Sequence, residues 1–208
     1  PNRPALLVMS IMAGLALGVL GAFVLEHQDQ SFRDVGELEA DLKIKVVGTI
    51  PNLPGFERKK RRDPKAPSAE EAFREFLEDS PGFREFRRTA LALLRAKEGG
   101  PGSILLTSAR SDEGKSTAAA CLALTLAREL PRERVLLVDL DARKPTSASI
   151  LGLSLGDAPD LTRVLKERRW LEGAARSVYL PNFWALPMRV DPQLSREGIS
   201  AEAIAWLL

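Results

Sequence analysis

At 208 residues the chain can form one full domain, or a smaller domain with attachments. Its 45% hydrophobic content and mean hydropathy of −0.10 suit a soluble domain carrying one membrane segment. Thirty basic residues against 28 acidic ones leave no bulk charge to attract nucleic acid. One cysteine, Cys121, excludes an internal disulfide framework, and with one histidine it leaves little to hold zinc. The sequence opens without Met and closes inside a helical pattern, Ala201–Leu208, so a fragment clipped at both ends is expected.

Ala5–Leu25 carries no charge across 21 residues. A helix of that length spans about 31 Å, close to the hydrocarbon thickness of a bilayer. The run is too long, and lacks the small-residue cleavage site, to read as a signal-peptide core. A transmembrane helix is therefore expected at 5–25. Ser10, Gly14, Gly18 and Ala22 recur every four residues along it. That face would let a second helix pack closely, although glycine is also simply common in membrane helices.

A juxtamembrane segment, 26–54, comes next. Val35, Leu38 and Leu42 stand at helical spacing, and Lys45-Val46-Val47-Gly48-Thr49-Ile50-Pro51 reads as a short extended piece stopped by proline. The linker 55–67 holds five consecutive basic residues, Arg58–Arg62. They could lie on anionic membrane lipid or simply be solvated. Ser68-Ala69-Glu70-Glu71 has the form of a capping box. It opens a helix with Ala72, Phe73, Phe76 and Leu77 on one side. Pro81-Gly82 is expected to break the pattern, and a second helix is expected at about Phe83–Lys97, ended by Gly99–Gly102.

The stretch Ser103–Thr117, SILLTSARSDEGKST, organises the remainder of the chain. The apolar run Ile104–Leu106 reads as a buried strand leading to Gly114-Lys115-Ser116-Thr117 at the start of a helix. Against G-x-x-x-x-G-K-[ST] the loop keeps the second Gly, the Lys and the Ser, with Ala109 in place of the first Gly. Gly114 lets the backbone approach a phosphate. Lys115 would neutralise the β- and γ-phosphates of ATP, and the Ser116 hydroxyl would ligate Mg²⁺. Ala109 fits if its φ is negative. Ala118–Leu130 continues as an apolar helix, and Val135–Val138 reads as a second buried strand ending in Asp139-Leu140-Asp141-Ala142-Arg143. A βαβ unit is the expected result. Ligands sit at the carboxyl ends of strands in open α/β sheets, which puts Asp139 and Asp141 beside the loop. Such carboxylates can hold Mg²⁺ through water, accept a proton from an attacking hydroxyl, or merely be the solvated acids of a strand-end turn. ATP is intracellular, so residues after the helix should face the cytoplasm and 1–4 should be a periplasmic stub.

These two motifs resemble the bacterial tyrosine kinases of capsular and exopolysaccharide synthesis, within the deviant-Walker ATPases. Ser108–Thr117 stands for S-x-x-P-G-E-G-K-S-T, and Val135–Pro145, VLLVDLDARKP, stands for V-L-L-V-D-x-D-x-R-x-P. Pro4–Gly55 resembles the second membrane helix and closing V-x-G-x-I-P of a polysaccharide chain-length regulator, and Asp160–Leu165 and Asn182–Leu186 resemble later segments of the kinase domain.

The resemblance implies an α/β P-loop fold with a parallel sheet, incomplete at the C-terminus, in which 68–208 is a partial cytoplasmic kinase domain behind one transmembrane helix at the bacterial inner membrane. It implies an ATP- and Mg²⁺-dependent tyrosine autokinase that regulates polysaccharide chain length and export. The implied catalytic residues are Lys115, Asp139 and Asp141. The implied nucleotide set is Asp112, Glu113, Gly114, Lys115, Ser116, Thr117 and Arg143, with Mg²⁺ at Ser116 and Asp139. Implied partners are copies of itself in a ring offering a tyrosine tail, the polymerisation and export machinery, and membrane lipid, with no nucleic acid.

Three departures stand against the pattern. Ser111-Asp112 replaces Pro-Gly, Cys121 falls where Asn is common, and Leu91 replaces the second Arg of the ring-assembly E-x-x-R-x-x-R begun by Glu85 and Arg88. A third nucleotide motif, D-x-P-P, and the tyrosine tail would lie past Leu208. The one tyrosine present, Tyr179, reads as structural. A non-kinase, nucleotide-binding scaffold is the alternative; a partition-type ATPase is disfavoured by the spanning helix.

Overall fold

The computed structural model describes residues 3–28, 35–51, 53, 56, 68–78, 80–96 and 102–207. The basic run Arg58–Arg62, most of its linker, Gly99–Pro101 and Leu208 lie outside them. The chain divides into two compact units, Pro1–Val46 and Val47–Leu208.

In the first unit α1 (Arg3–Gln28) is one continuous helix. Leu6–Val24 has a mean hydropathy of 2.3, long and apolar enough to cross a membrane by length and composition. Helix α2 (Val35–Leu42) comes after it in the chain. The Val46 N–H donates to Glu39 Oε1 at 2.7 Å, returning the end of this unit onto α2.

The second unit opens with α3 (Ala69–Leu77), whose start is written locally. Glu71 N–H donates to Ser68 Oγ at 3.2 Å, and Ser68 N–H donates to Glu71 Oε2 at 2.7 Å, the reciprocal capping box expected of this tetrapeptide. Pro81 starts a helix rather than breaking one. It stands in the first turn of α4 (Pro81–Arg95), where its missing N–H costs nothing, and Ser80 caps that turn through Phe83 N–H at 3.1 Å. Phe73, Phe76, Phe83 and Phe86 are buried, with Phe76 edge-on to both Phe83 and Phe86 at 5.6 and 5.7 Å. Phe56 closes this cluster against Phe73 at 4.8 Å.

Helix α5 (Lys115–Glu129) is apolar almost all round, and Ala120–Ala127 is entirely buried. It lies between α4 and a three-stranded sheet of β1 (Val135–Val138), β2 (Arg176–Val178) and β3 (Leu180–Leu186), in the order β1-β3-β2. β1 runs parallel to β3, with Val135 opposite Phe183 and Val138 opposite Leu186; β2 is antiparallel to β3. Between β1 and β2 come α6 (Ser147–Ile150) and α7 (Leu161–Glu167), and after β3 come α8 (Pro192–Glu197) and α9 (Ala201–Leu207). The Asn182 side-chain amide donates to the carbonyls of Ala127, Leu130 and Glu133 at 2.8–3.1 Å, tying β3 to the C-terminal end of α5 and the turn after it.

Two expectations are corrected. The described sheet is mixed rather than all parallel, and Ile104–Leu106 forms no strand in it. Ile104 and Leu106 pack against the core, but Leu105 is 80% exposed. An apolar run becomes a strand only where a neighbouring strand takes up its backbone N–H and C=O groups, and β1 is left as an edge of the described sheet. The parallel partner of β1 is therefore β3, reached through α6, α7 and β2. Tyr179 is structural: its ring packs on Phe73 at 5.1 Å and its hydroxyl donates to Leu151 O at 2.8 Å.

Candidate functional site

Gly114 caps α5 in the left-handed region, φ 84°, and its carbonyl accepts the Ala118 N–H at 2.8 Å. A non-glycine residue adopts that conformation at a cost, so this position needs its glycine. The other left-handed residue of the loop is Asp112, φ 67°. It occupies a glycine position of the pattern and is among the few residue types that tolerate this backbone. Ala109 is not among the positive-φ residues, which explains why alanine can stand there. Inside the loop Ser108 Oγ donates to Arg110 O at 3.0 Å, and Arg110 N–H donates to Glu113 Oε2 at 3.1 Å, so Glu113 braces the turn.

The loop lines a cavity of about 970 Å³. Residues 108–118 form one wall; Asp141, Arg143, Lys144, Thr146 and Ser149 form another. Ile50, Pro51, Leu53, Phe56 and Phe86 supply an apolar side. The segment bearing Ile50 approaches α4 closely: a Cβ on Gly48 would collide with Thr89 Oγ1.

Lys115, from the first turn of α5, reaches Asp141 across the cavity, Nζ to Oδ2 3.0 Å. The second oxygen of Asp141 accepts the Lys144 N–H at 3.0 Å. Partial burial raises the Asp141 pKa, but the bonds from Lys115 and the Lys144 backbone outweigh it and hold this carboxyl below the usual range. A lysine and a carboxylate 26 residues apart in sequence thus face each other where a phosphate chain would lie.

Asp139 is placed differently. It is buried, and both its oxygens are engaged by backbone: Oδ1 accepts Asp141 N–H at 3.1 Å, and Oδ2 accepts Thr146 and Ser147 N–H at 3.0 and 2.9 Å. It does not appear in the cavity wall, and its carboxylate shapes the 141–147 loop from behind. Ser116, Thr117, Glu113, Gly114, Asp112 and Arg143 all line the cavity. Among the described residues no group of three or more His, Cys, Asp or Glu side chains could hold a metal ion alone. Mg²⁺ would fit here only with phosphate oxygens completing its shell, alongside the Ser116 hydroxyl.

Lys144 was not legible as a site residue. Its ammonium meets both Asp112 oxygens at 2.9 and 3.0 Å. The signal lay in the open position of D-x-R-x-P, which the motif leaves unspecified. Nor did the sequence announce that Ile50, Pro51, Leu53 and Phe56 contribute apolar side chains to this cavity. On α4, Glu85 and Arg88 pair with each other at 2.9 Å.

Residues 104–203 match the CobQ/CobB/MinD/ParA nucleotide binding domain. Tyrosine-protein kinase ptk of Acinetobacter johnsonii is 24% identical over 100% of this chain and 28% of its own length. The succinoglycan biosynthesis transport protein ExoP of Rhizobium meliloti (strain 1021) is 30% identical over 70% of this chain and 20% of its own. Tyrosine-protein kinase YwqD of Bacillus subtilis (strain 168) is 42% identical over 36% of this chain and 30% of its own. The chain therefore spans less than a third of the length of these relatives. The BceF tyrosine kinase domain shares the fold, with a TM-score of 0.67 at 19% identity over 84% of this chain and 69% of that one. Residues 104–203 are thus similar to a CobQ/CobB/MinD/ParA-type nucleotide-binding domain, and the chain as a whole is similar to parts of bacterial tyrosine kinases.

Proposed function

We propose that the chain is part of a membrane-anchored bacterial protein-tyrosine kinase, which moves the γ-phosphoryl group of ATP to tyrosines on neighbouring copies and thereby regulates exopolysaccharide chain length and export. The observation that carries this reading is the meeting of Lys115 and Asp141 over a cavity walled by the loop 108–118. Phosphoryl transfer asks mainly for positioning and charge neutralisation, and these residues supply both. Backbone N–H groups after Gly114 face the phosphates, Lys115 leaves Asp141 for the β- and γ-oxygens, and Ser116 offers its hydroxyl to the metal. Bound Mg²⁺ supplies further neutralisation of the phosphates. Asp141, released from Lys115, is a carboxylate within the cavity that can accept the tyrosine proton. Asp139 acts as its positioning residue, fixing the loop through three backbone N–H groups.

We place α1 across the bacterial inner membrane with the second unit in the cytoplasm. The copies assemble as a ring beside the polymerisation and export machinery, with membrane lipid as a further partner. The likeness to ExoP, whose name assigns it to succinoglycan biosynthesis transport, supports the polysaccharide part. The second reading, a nucleotide-binding chain-length scaffold without transfer, is favoured by the engagement of both Asp139 oxygens with backbone. Phosphotyrosine on the full-length protein separates the two. Signal in the wild type and none in Lys115→Met is the expected result; equal signal, or none in either, overturns the kinase.

A further inference from the structure

Two ammonium groups of this cavity are each held by a carboxylate from the opposite loop. Lys115 reaches from the phosphate loop to Asp141, and Lys144 reaches from the 141–147 loop back to Asp112. The second pair is bidentate, at 2.9 and 3.0 Å, and joins residues 32 apart in sequence. Asp112 stands two residues before Gly114, and its left-handed backbone (φ 67°) turns the loop where this contact is made. Both members line the cavity, and both are about half exposed: 45% for the lysine side chain and 51% for the aspartate.

We infer that Lys144 is a second phosphate-binding cation of this site, and that Asp112 is the placeholder anion that holds it until nucleotide arrives. This rests on the nucleotide-binding reading of the cavity. A half-exposed pair of this kind resists opening by no more than about fivefold. A Mg²⁺–triphosphate still presents several negatively charged oxygens to one carboxylate's two, so the exchange favours the phosphate chain. The Lys144 stem is anchored for this transfer, because its own N–H is fixed on Asp141 beside Lys115.

The test is a titration of the full-length protein with Mg²⁺–ATP, using five chains: wild type, Asp112→Asn, Lys144→Met, the double variant of these two, and Lys144→Arg. Asparagine keeps the left-handed backbone, so the loop conformation is retained. Asp112→Asn is expected to tighten binding by about two- to fivefold, the resistance of the exposed pair. Lys144→Met is expected to weaken it by about tenfold, as the loss of one charge-assisted phosphate contact. In the Lys144→Met background Asp112→Asn is expected to change nothing.

Equal tightening in both backgrounds overturns the placeholder role, because Asp112 then acts only as a repulsive charge. Unchanged or weaker binding in Asp112→Asn overturns it as well, and an unchanged affinity in Lys144→Met removes the second cation. Lys144→Arg should retain the affinity, which separates loss of charge from loss of fold. If the wild type binds no ATP, the nucleotide reading itself fails; wild-type binding with unmoved variants sinks only the placeholder and second-cation roles.

Discussion

Asp141 is the residue where the charge balance of the site can be read from outside. Its carboxyl is held below the ordinary range in the folded chain, so the contact with Lys115 stabilises the fold at pH above the unfolded value of about 3.9 and is lost as pH falls through the lower folded value. Asp141→Asn is thus expected to melt below the wild type at about pH 6, with the gap narrowing as the pH falls below the unfolded value. Thermal melts across that range check it, and a gap that does not change with pH contradicts the pairing. Tyr179 carries a second residue-scale prediction. Tyr179→Phe removes the hydrogen bond to Leu151 O while keeping the ring on Phe73. A loss of about 1 kcal/mol in denaturant unfolding is expected. No loss would mean that the hydroxyl contributes nothing to stability.

At the scale of elements, the legible features were the local ones. Ser68 and Glu71 meet three residues apart, so their capping box could be read directly, and the apolar pattern after Lys115 located α5. Ser68→Ala is expected to cost about 1 kcal/mol by calorimetry or denaturant titration, and an unchanged stability would contradict the cap. Ser80 and Pro81 show the limit of that reading. Pro-Gly signals a break, yet the same proline is at home in a first turn once Ser80 caps it. Ile104–Leu106 failed for another reason. Strand formation depends on a partner brought from far along the chain, and apolar character alone does not say which strand β1 will choose. The site divides the same way. Gly114, Lys115 and Ser116 are consecutive and legible, whereas the Lys144–Asp112 contact arises only when two distant loops meet, and the backbone engagement of Asp139 only when the loop after it folds back over its carboxylate.

At the scale of the whole molecule, the chain carries a helix of membrane-crossing length and apolarity and a region similar to a nucleotide-binding domain. The anchoring proposal has its own check: alkaline carbonate extraction of bacterial membranes should leave the full-length protein in the pellet, and its appearance in the supernatant would contradict a spanning α1. The central claim, however, is that Lys115, the loop around Gly114 and Asp141 form an ATP site, because kinase and scaffold alike depend on it. Calorimetric titration of the full-length protein with Mg²⁺–ATP tests it most directly. Saturable binding by the wild type, weakened at least about tenfold in Lys115→Met, is predicted from the loss of one charge-assisted contact to phosphate; equal affinity in the two, or no binding by the wild type, would contradict it.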